Sequence, residues 1–178
     1  MKQTLRIIEG CIAGKRRYQR KFYDLYAVPM YRICYRYLKN EFDTEDALST
    51  GFTKVFENLH RHTFKSEKHL YNWLKKVMIN ESLMLLRSQI RFQSVEMSTD
   101  IGGFQSADAL QQMDAEEVYA LIQALPKGYR TIFNLYVIDG YSHAEIANEL
   151  DITESTSRSQ LTKARKLLQS QLKTLQVR

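Results

Sequence analysis

The residues best placed to do chemistry lie near the C-terminus. In Ser142-His143-Ala144-Glu145 the serine hydroxyl can accept a backbone N–H three residues on while the glutamate reaches back, which satisfies two orphan donors and specifies a short helix from His143 to Leu150. Ile146 and Leu150 would face a core, and small Ala147 would let a following helix approach closely. After Asp151-Ile152, Thr153 can cap a second helix carrying Ser155, Thr156, Arg158, Ser159, Lys163 and Arg165. Small hydroxyls at its start and cations along one face are what a helix needs to enter a DNA major groove. Ser155, Thr156 and Ser159 can bond phosphates or base edges, Arg158 can fork onto a guanine, and Lys163 and Arg165 can supply phosphate charge. The pattern is a helix-turn-helix; an αα-hairpin with a solvated basic face is the plainer reading of the same spacing. No phosphate-binding glycine loop, paired-carboxylate metal site or nucleophile constellation accompanies it, so an enzyme is not expected. His60, His62 and His69 complete no ligand set, and Cys11 and Cys34 are too few for a disulfide framework or zinc site, so no cofactor or metal is expected.

The elements that must position these residues are helical. Among 178 residues there are two prolines, Pro29 and Pro126, and seven glycines, and strand-type alternation is hard to find; the expected class is all-α, with two small helical domains joined by a flexible acidic linker. Phe22, Leu25, Tyr26, Ile33 and Tyr37 recur at helical spacing between about 15 and 40. Asp43 or Thr44 could cap a next helix with the stripe Leu48, Phe52, Val55, Phe56 and Leu59, and Ser66 a third running through Leu70, Trp73, Leu74 and Val77 to Arg91. The stretch 93–111 is rich in Ser and Gly and lacks helical periodicity, so it reads as a linker between domains at 12–92 and 112–174. In the second domain one helix carries Val118, Leu121, Ile122 and Leu125 and ends at Pro126, and another runs from about Tyr129 to Ile138, stopping at Asp139-Gly140.

Charge narrows the partners. The net charge is +6, and it is unevenly spread: residues 1–39 and the tail after Ile152 are basic, while between Phe92 and Pro126 there is no Lys or Arg and six carboxylates accumulate. Two basic lobes flanking an acidic middle suit a polyanionic partner. No run approaches the roughly 18 apolar residues of a membrane span, so no membrane insertion is expected and the cytoplasm is the expected compartment.

Three runs together carry a family resemblance: Leu125-Pro126-Lys127-Gly128-Tyr129-Arg130, Asp139-Gly140-Tyr141-Ser142-His143-Ala144-Glu145-Ile146-Ala147, and Ser155-Thr156-Ser157-Arg158-Ser159 through Ala164-Arg165. They resemble the C-terminal domain of extracytoplasmic-function (ECF) sigma factors of bacterial RNA polymerase, which binds the promoter −35 element. Thr44-Glu45-Asp46-Ala47-Leu48 leading into Phe52-Thr53-Lys54-Val55-Phe56 resembles the same family's helix that docks on the polymerase clamp, and Trp73-Leu74, Asn80 and Leu85-Leu86-Arg87 resemble its helix that holds the melted −10 strand. The likeness covers about residues 12–92 and 112–172. It implies a protein that joins core RNA polymerase, reads −35 promoter DNA with the second helix of the helix-turn-helix, stabilises the unpaired −10 strand, and is held by an anti-sigma factor.

Residue by residue, the resemblance implies −10 contacts from Asn80, stacking by Tyr71 and Trp73, and phosphate charge from Lys75, Lys76, Arg87 and Arg91; Trp73 serves equally well as core. It implies polymerase contact at Glu45, Asp46, Phe52 and Phe56, of which the phenylalanines also suit a core and the carboxylates a helix cap. The loop 61–68 would receive a flipped base, and the acidic linker would either enter a positively lined channel as RNA does or act as a solvated tether. Four positions depart from the family: Ser49 for a usual glutamine, Met84 for an aspartate, Asp151 for the turn glycine and Ser157 for an apolar valine. The competing function is a dimeric helix-turn-helix repressor or activator that acts without polymerase, which would require palindromic half-sites.

Overall fold

A computed structural model describes residues 2–87 and 115–176, and every regular element in them is helical, as the all-α expectation required. The linker at 93–111, the continuation of the third predicted helix to Arg91, and the boundaries at 92 and 112 lie outside the described residues. The chain divides into two compact units, Met1–Ser88 and Gln89–Arg178.

In the first unit α1 (Lys2–Ile12), α2 (Arg16–Leu38), α3 (Glu41–Asn58) and α4 (Glu67–Arg87) are joined by short turns, with a 3-10 turn at Leu59–Arg61. α2, α3 and α4 pack on one another, and α1, which precedes the expected domain start, packs on α2 and the 3-10 turn. Phe22, Met30, Cys34, Tyr37, Val55, Leu59, Leu70, Leu74, Met78 and Leu83 form the fully buried centre. Leu25, expected on the buried stripe, is 53% exposed. The stripe of α2 steps from Phe22 to Tyr26, Met30, Ile33 and Tyr37, and Leu25 falls one position to its outer side. Neither Asp43 nor Thr44 caps α3. Asn40 does, its side chain accepting from the Asp43 N–H at 3.2 Å, while the buried Thr44 hydroxyl donates back to the Asn40 carbonyl. Ser66 caps α4 as expected, accepting from the His69 N–H at 3.1 Å. Gly51 makes the α3–α4 contact close: a methyl group there would meet the Met78 sulfur at 2.5 Å.

The second unit contains α5 (Ala115–Ala124), α6 (Lys127–Phe133), a π-helical turn (Asn134–Ile138), α7 (His143–Leu150) and α8 (Glu154–Gln176). Pro126 separates α5 from α6 because it cannot donate an N–H, and its fixed φ suits a helix start. The predicted Tyr129–Ile138 helix begins two residues earlier and widens at its end, where the Asp139 N–H reaches Asn134 and the Tyr141 N–H reaches Leu135. Gly140 then takes φ +76, as its C-cap position required. Ile122, Leu125, Ile132, Leu135, Ile146, Leu150, Leu161 and Ala164 are the apolar centre. Arg130 is buried among them, its Nη1 donating to the Leu125 carbonyl at 2.9 Å, and burial lowers the pKa of its guanidinium.

Candidate nucleic-acid and polymerase interfaces

α7 and α8 form the helix-turn-helix. The capping box at Ser142 is complete: the Glu145 N–H donates to the Ser142 hydroxyl at 3.2 Å, and Glu145 Oε2 accepts from the Ser142 N–H at 2.8 Å. Asp151 closes α7 in the left-handed region at φ +53, with the Ile152 N–H reaching the Ala147 carbonyl at 3.0 Å. Thr153 then caps α8, accepting from the Thr156 N–H at 3.0 Å. These local bonds set the angle at which α8 leaves the turn.

At about 100° per residue, Ser155, Arg158, Ser159, Thr162, Lys163 and Lys166 share the outward half of α8. Ser155, Arg158, Thr162 and Lys166 are exposed, and Ser159 and Lys163 half-buried. Thr162 and Lys166 were not among the predicted contacts, although spacing alone shows them, since Thr162 is four residues beyond Arg158 and Lys166 seven beyond Ser159. Thr156, seven residues before Lys163, lies at the same edge of this face, and its hydroxyl lies 2.9 Å from that of Thr153 at the helix start. Arg158 Nη2 sits 2.9 Å from Glu154, an exposed i, i+4 pair of the kind that opens at little cost when a better anion arrives. Arg165 lies at the edge of the face with its guanidinium 5.9 Å from the Tyr136 ring centroid. Ser157 is fully buried, and its hydroxyl meets His143 Nδ1 at 2.8 Å.

In the first unit α4 presents Trp73, Lys76, Asn80 and Arg87 on one face, with Lys76, Asn80 and Arg87 exposed. Tyr71 is exposed but does not join them. Nine residues separate it from Asn80, about two and a half turns, so it points the opposite way and cannot stack on a base held at Asn80. Trp73 is half-buried against His62 and Phe64, with ring centroids 4.6 and 5.4 Å away. It thereby anchors the loop 61–66 on α4, and Phe64 also meets the His69 ring at 5.8 Å. Among the described residues no group of three His, Cys, Asp or Glu could hold a metal ion. Cys11 and Cys34 are free and buried, and burial raises each thiol to about 11.

Glu45 and Asp46 are exposed near the start of α3, but Glu45 alone borders the groove between α2 and α3. That groove has a volume of about 540 Å³ and is lined by Tyr23, Tyr31, Leu48, Ser49, Phe52 and Phe56 as well. Phe52 is 3% exposed and meets the Tyr23 ring at a tilt of 55°, centroids 4.8 Å apart, so it builds the floor of the groove as a core residue; Phe56 is half-buried and meets Phe22 at 5.8 Å.

Comparison with known proteins agrees with this arrangement in order and position. Residues 22–92 match the family described as Sigma-70 region 2 and residues 115–168 that described as Sigma-70, region 4, together more than two-thirds of the chain. The ECF RNA polymerase sigma factor SigW of Bacillus subtilis is 25% identical over 167 residues, covering 85% of this chain and 87% of that one. The ECF RNA polymerase sigma-E factor of Escherichia coli is 26% identical over 146 residues, covering 75% of each. Among solved structures, the sigma factor RpoE of Bartonella quintana, in complex with the anti-sigma factor NepR, has the same fold with a TM-score of 0.50 at 20% identity, covering 86% of this chain and 96% of that one.

Proposed function

Because the chain belongs to the sigma-70 family of RNA polymerase sigma factors, we propose that it works as an ECF sigma factor whose two units divide promoter recognition between them. Segment 112–174 reads the −35 element, segment 12–92 binds core polymerase and holds the melted −10 strand, and 93–111 connects them. The observation that carries this reading is that each unit exposes one helix face of cations and hydrogen-bonding groups, on α8 and on α4. On α8, Ser155, Arg158, Ser159, Thr162, Lys163 and Lys166 make the DNA face, with Arg158 exchanging Glu154 for a guanine edge or a phosphate. On α4, Asn80 bonds an unpaired base or its backbone, Lys76 and Arg87 neutralise phosphates, and Trp73 supports the loop that receives the base.

Core polymerase docks on the α2–α3 groove, with Glu45 and the exposed Asp46 offering charge at its end. The groove's aromatic floor supplies apolar surface, the component that dominates well-packed interfaces. Unpairing costs a few kcal/mol per extruded base, so the contacts on α4 must offset that cost without any covalent step. No helix among the described residues is long and apolar enough to cross a membrane, and the site of action is the cytoplasm, where polymerase and promoter meet. An anti-sigma factor, as is bound to the Bartonella protein, is the expected restraint.

The test is transcription. Purified chain added to bacterial core polymerase on a library of genomic promoter fragments should give transcripts from bipartite, asymmetric promoters. Transcripts that never depend on the chain, or tight binding to palindromic sites without polymerase, would overturn the assignment in favour of a dimeric regulator. Affinity purification from the native cell should recover a stoichiometric anti-sigma protein; recovery solely as free chain or holoenzyme would refute that partner.

A further inference from the structure

Four side chains on three elements add a hydrogen bond and ring contacts to the apolar packing between the two helices of the helix-turn-helix. His143, the first residue of α7, is nine-tenths buried; its Nδ1 lies 2.8 Å from the hydroxyl of the wholly buried Ser157 on α8. The other side of the contact is Tyr136 from the π-helical turn, stacked on the imidazole with ring centroids 4.3 Å apart and planes 23° from parallel. Arg165, two turns along α8 from Ser157, places its guanidinium 5.9 Å from the centroid of the same tyrosine ring. A valine at 157 would fill space without fixing direction. A hydroxyl bonded to a stacked imidazole fixes both the rotation and the axial position of α8.

We propose that His143 is a positioning residue for promoter recognition: its neutral imidazole holds Ser157 and so sets the rotation of α8, and uptake of a proton by the ring, which adds a third cation beside Arg158 and Arg165, weakens that hold. The inference rests on α8 being the promoter-reading helix. The outward residues Ser155, Arg158 and Ser159 sit within two positions of Ser157, so they turn with it. A rotation of α8 by about 20° moves atoms 5–6 Å from its axis by about 2 Å, enough to break hydrogen bonds to base edges.

The neutral ring suits the site. With the proton on Nε2, Nδ1 accepts the Ser157 hydroxyl. A charged ring would carry hydrogens on both nitrogens, so that Nδ1 would donate to the Ser157 oxygen instead of accepting from it, and would sit beside Arg158 and Arg165 of α8, with Glu154, already paired with Arg158, the opposing charge. Burial first, then Arg158 and Arg165, hold the imidazole below its ordinary 6.5 against the opposing pull of Glu154. Tyr136 on the π-helical turn adds no charge. The direction of the effect follows from linkage. A histidine whose folded pKa is lowered contributes fully above its unfolded value, and the contribution is lost as pH falls from about 6.5 through the lowered folded value.

The experiment uses holoenzyme formed from the full chain and bacterial core polymerase, with a duplex promoter probe selected by wild-type holoenzyme from a random-sequence pool at pH 7.5. Affinity is then measured from pH 5.5 to 8. Ser157→Ala should weaken binding about fivefold at pH 7.5, the loss expected for one hydrogen bond, and Ser157→Thr, which keeps the hydroxyl, should restore most of it. His143→Asn keeps a bonding atom near the position of Nδ1 and cannot titrate. It should bind within about threefold of wild type and lose the decline that wild type shows below pH 6.5. His143→Ala combined with Ser157→Ala should be no weaker than the weaker single variant, because the two residues act through one contact. Circular dichroism melts check that each variant folds; if Ser157→Ala does not, the pH profiles of His143→Asn and wild type decide. Unchanged affinity in folded Ser157→Ala, or a wild-type pH decline retained in His143→Asn, would overturn the inference. Failure of wild-type holoenzyme to select any promoter would instead sink the promoter reading itself, and the positioning role with it.

Discussion

Replacing Lys54 by Met tests whether the first unit depends on one ion pair at its centre. Lys54 on α3 places its Nζ 2.7 and 2.8 Å from the two carboxylate oxygens of Glu81 on α4. The Glu81 side chain is 7% exposed and that of Lys54 44%. Removing one partner of a fully buried pair costs about 3–5 kcal/mol because a charge is left unpaired; with water able to reach the lysine side, about 2 kcal/mol is the expected loss. Methionine keeps most of the lysine stem's packing, so the loss reports the charge. The assay is urea unfolding followed by the fluorescence of Trp73, the chain's one tryptophan, which lies in the same unit and on α4. With a denaturant slope of about 1–2 kcal/mol/M, the midpoint should fall by roughly 1–2 M. Exchanging both residues for methionine should recover most of that, since it removes the unpaired carboxylate as well. A Lys54→Met midpoint within about 0.3 M of wild type would refute the reasoning.

Asp151 holds the left-handed conformation that glycine adopts without a Cβ penalty, so Asp151→Gly should stabilise the second unit by about 0.5–1 kcal/mol and slow amide exchange in α7; faster exchange would contradict this. Ser142→Ala removes the capping hydroxyl and should cost about 1 kcal/mol, read as faster exchange at the start of α7. Lys166→Ala should weaken holoenzyme binding to promoter duplex and reduce the slope of log affinity against log salt by about 0.9, the signature of one lost phosphate contact. On α4, Asn80→Ala should impair open-complex formation measured by permanganate reactivity of unpaired thymines, whereas Tyr71→Ala should leave it unchanged; equal defects would show that the two share a face after all.

Much of the fold was legible because its signals are local. The Ser142 capping box, the Thr153 cap, the Ser66 cap and the Gly140 stop each depend on atoms within about one helical turn, and each stands where the residue types require it. The misplaced cap of α3 shows the limit: Asn40, Asp43 and Thr44 are all competent, and burial of Thr44 against the other helices leaves Asn40 to do it. α1 passed unread because Arg6 and Glu9 interrupt its apolar run, although Ile7, Ile8 and Cys11 are buried. Its close seating on α2 requires Gly10, where any methyl group would overlap the Tyr18 ring.

What the amino-acid sequence determined alone was the class of machine: helical periodicity, caps and cation placement define a helix-turn-helix, and the order of its runs assigns it to a two-part promoter reader. What the tertiary structure decided was which side chains are available to the promoter and polymerase. Phe52 becomes the floor of a groove, Trp73 is half-buried against His62 and Phe64, Leu25 is left on the outside of α2, and Ser157 is buried against His143. The pairs that hold the elements in place, His143 with Ser157 and Lys54 with Glu81, are separated by 14 and 27 residues. Hydrogen-bonding rules within a helix act over three or four residues, so partners at such separations exist only once the helices have packed.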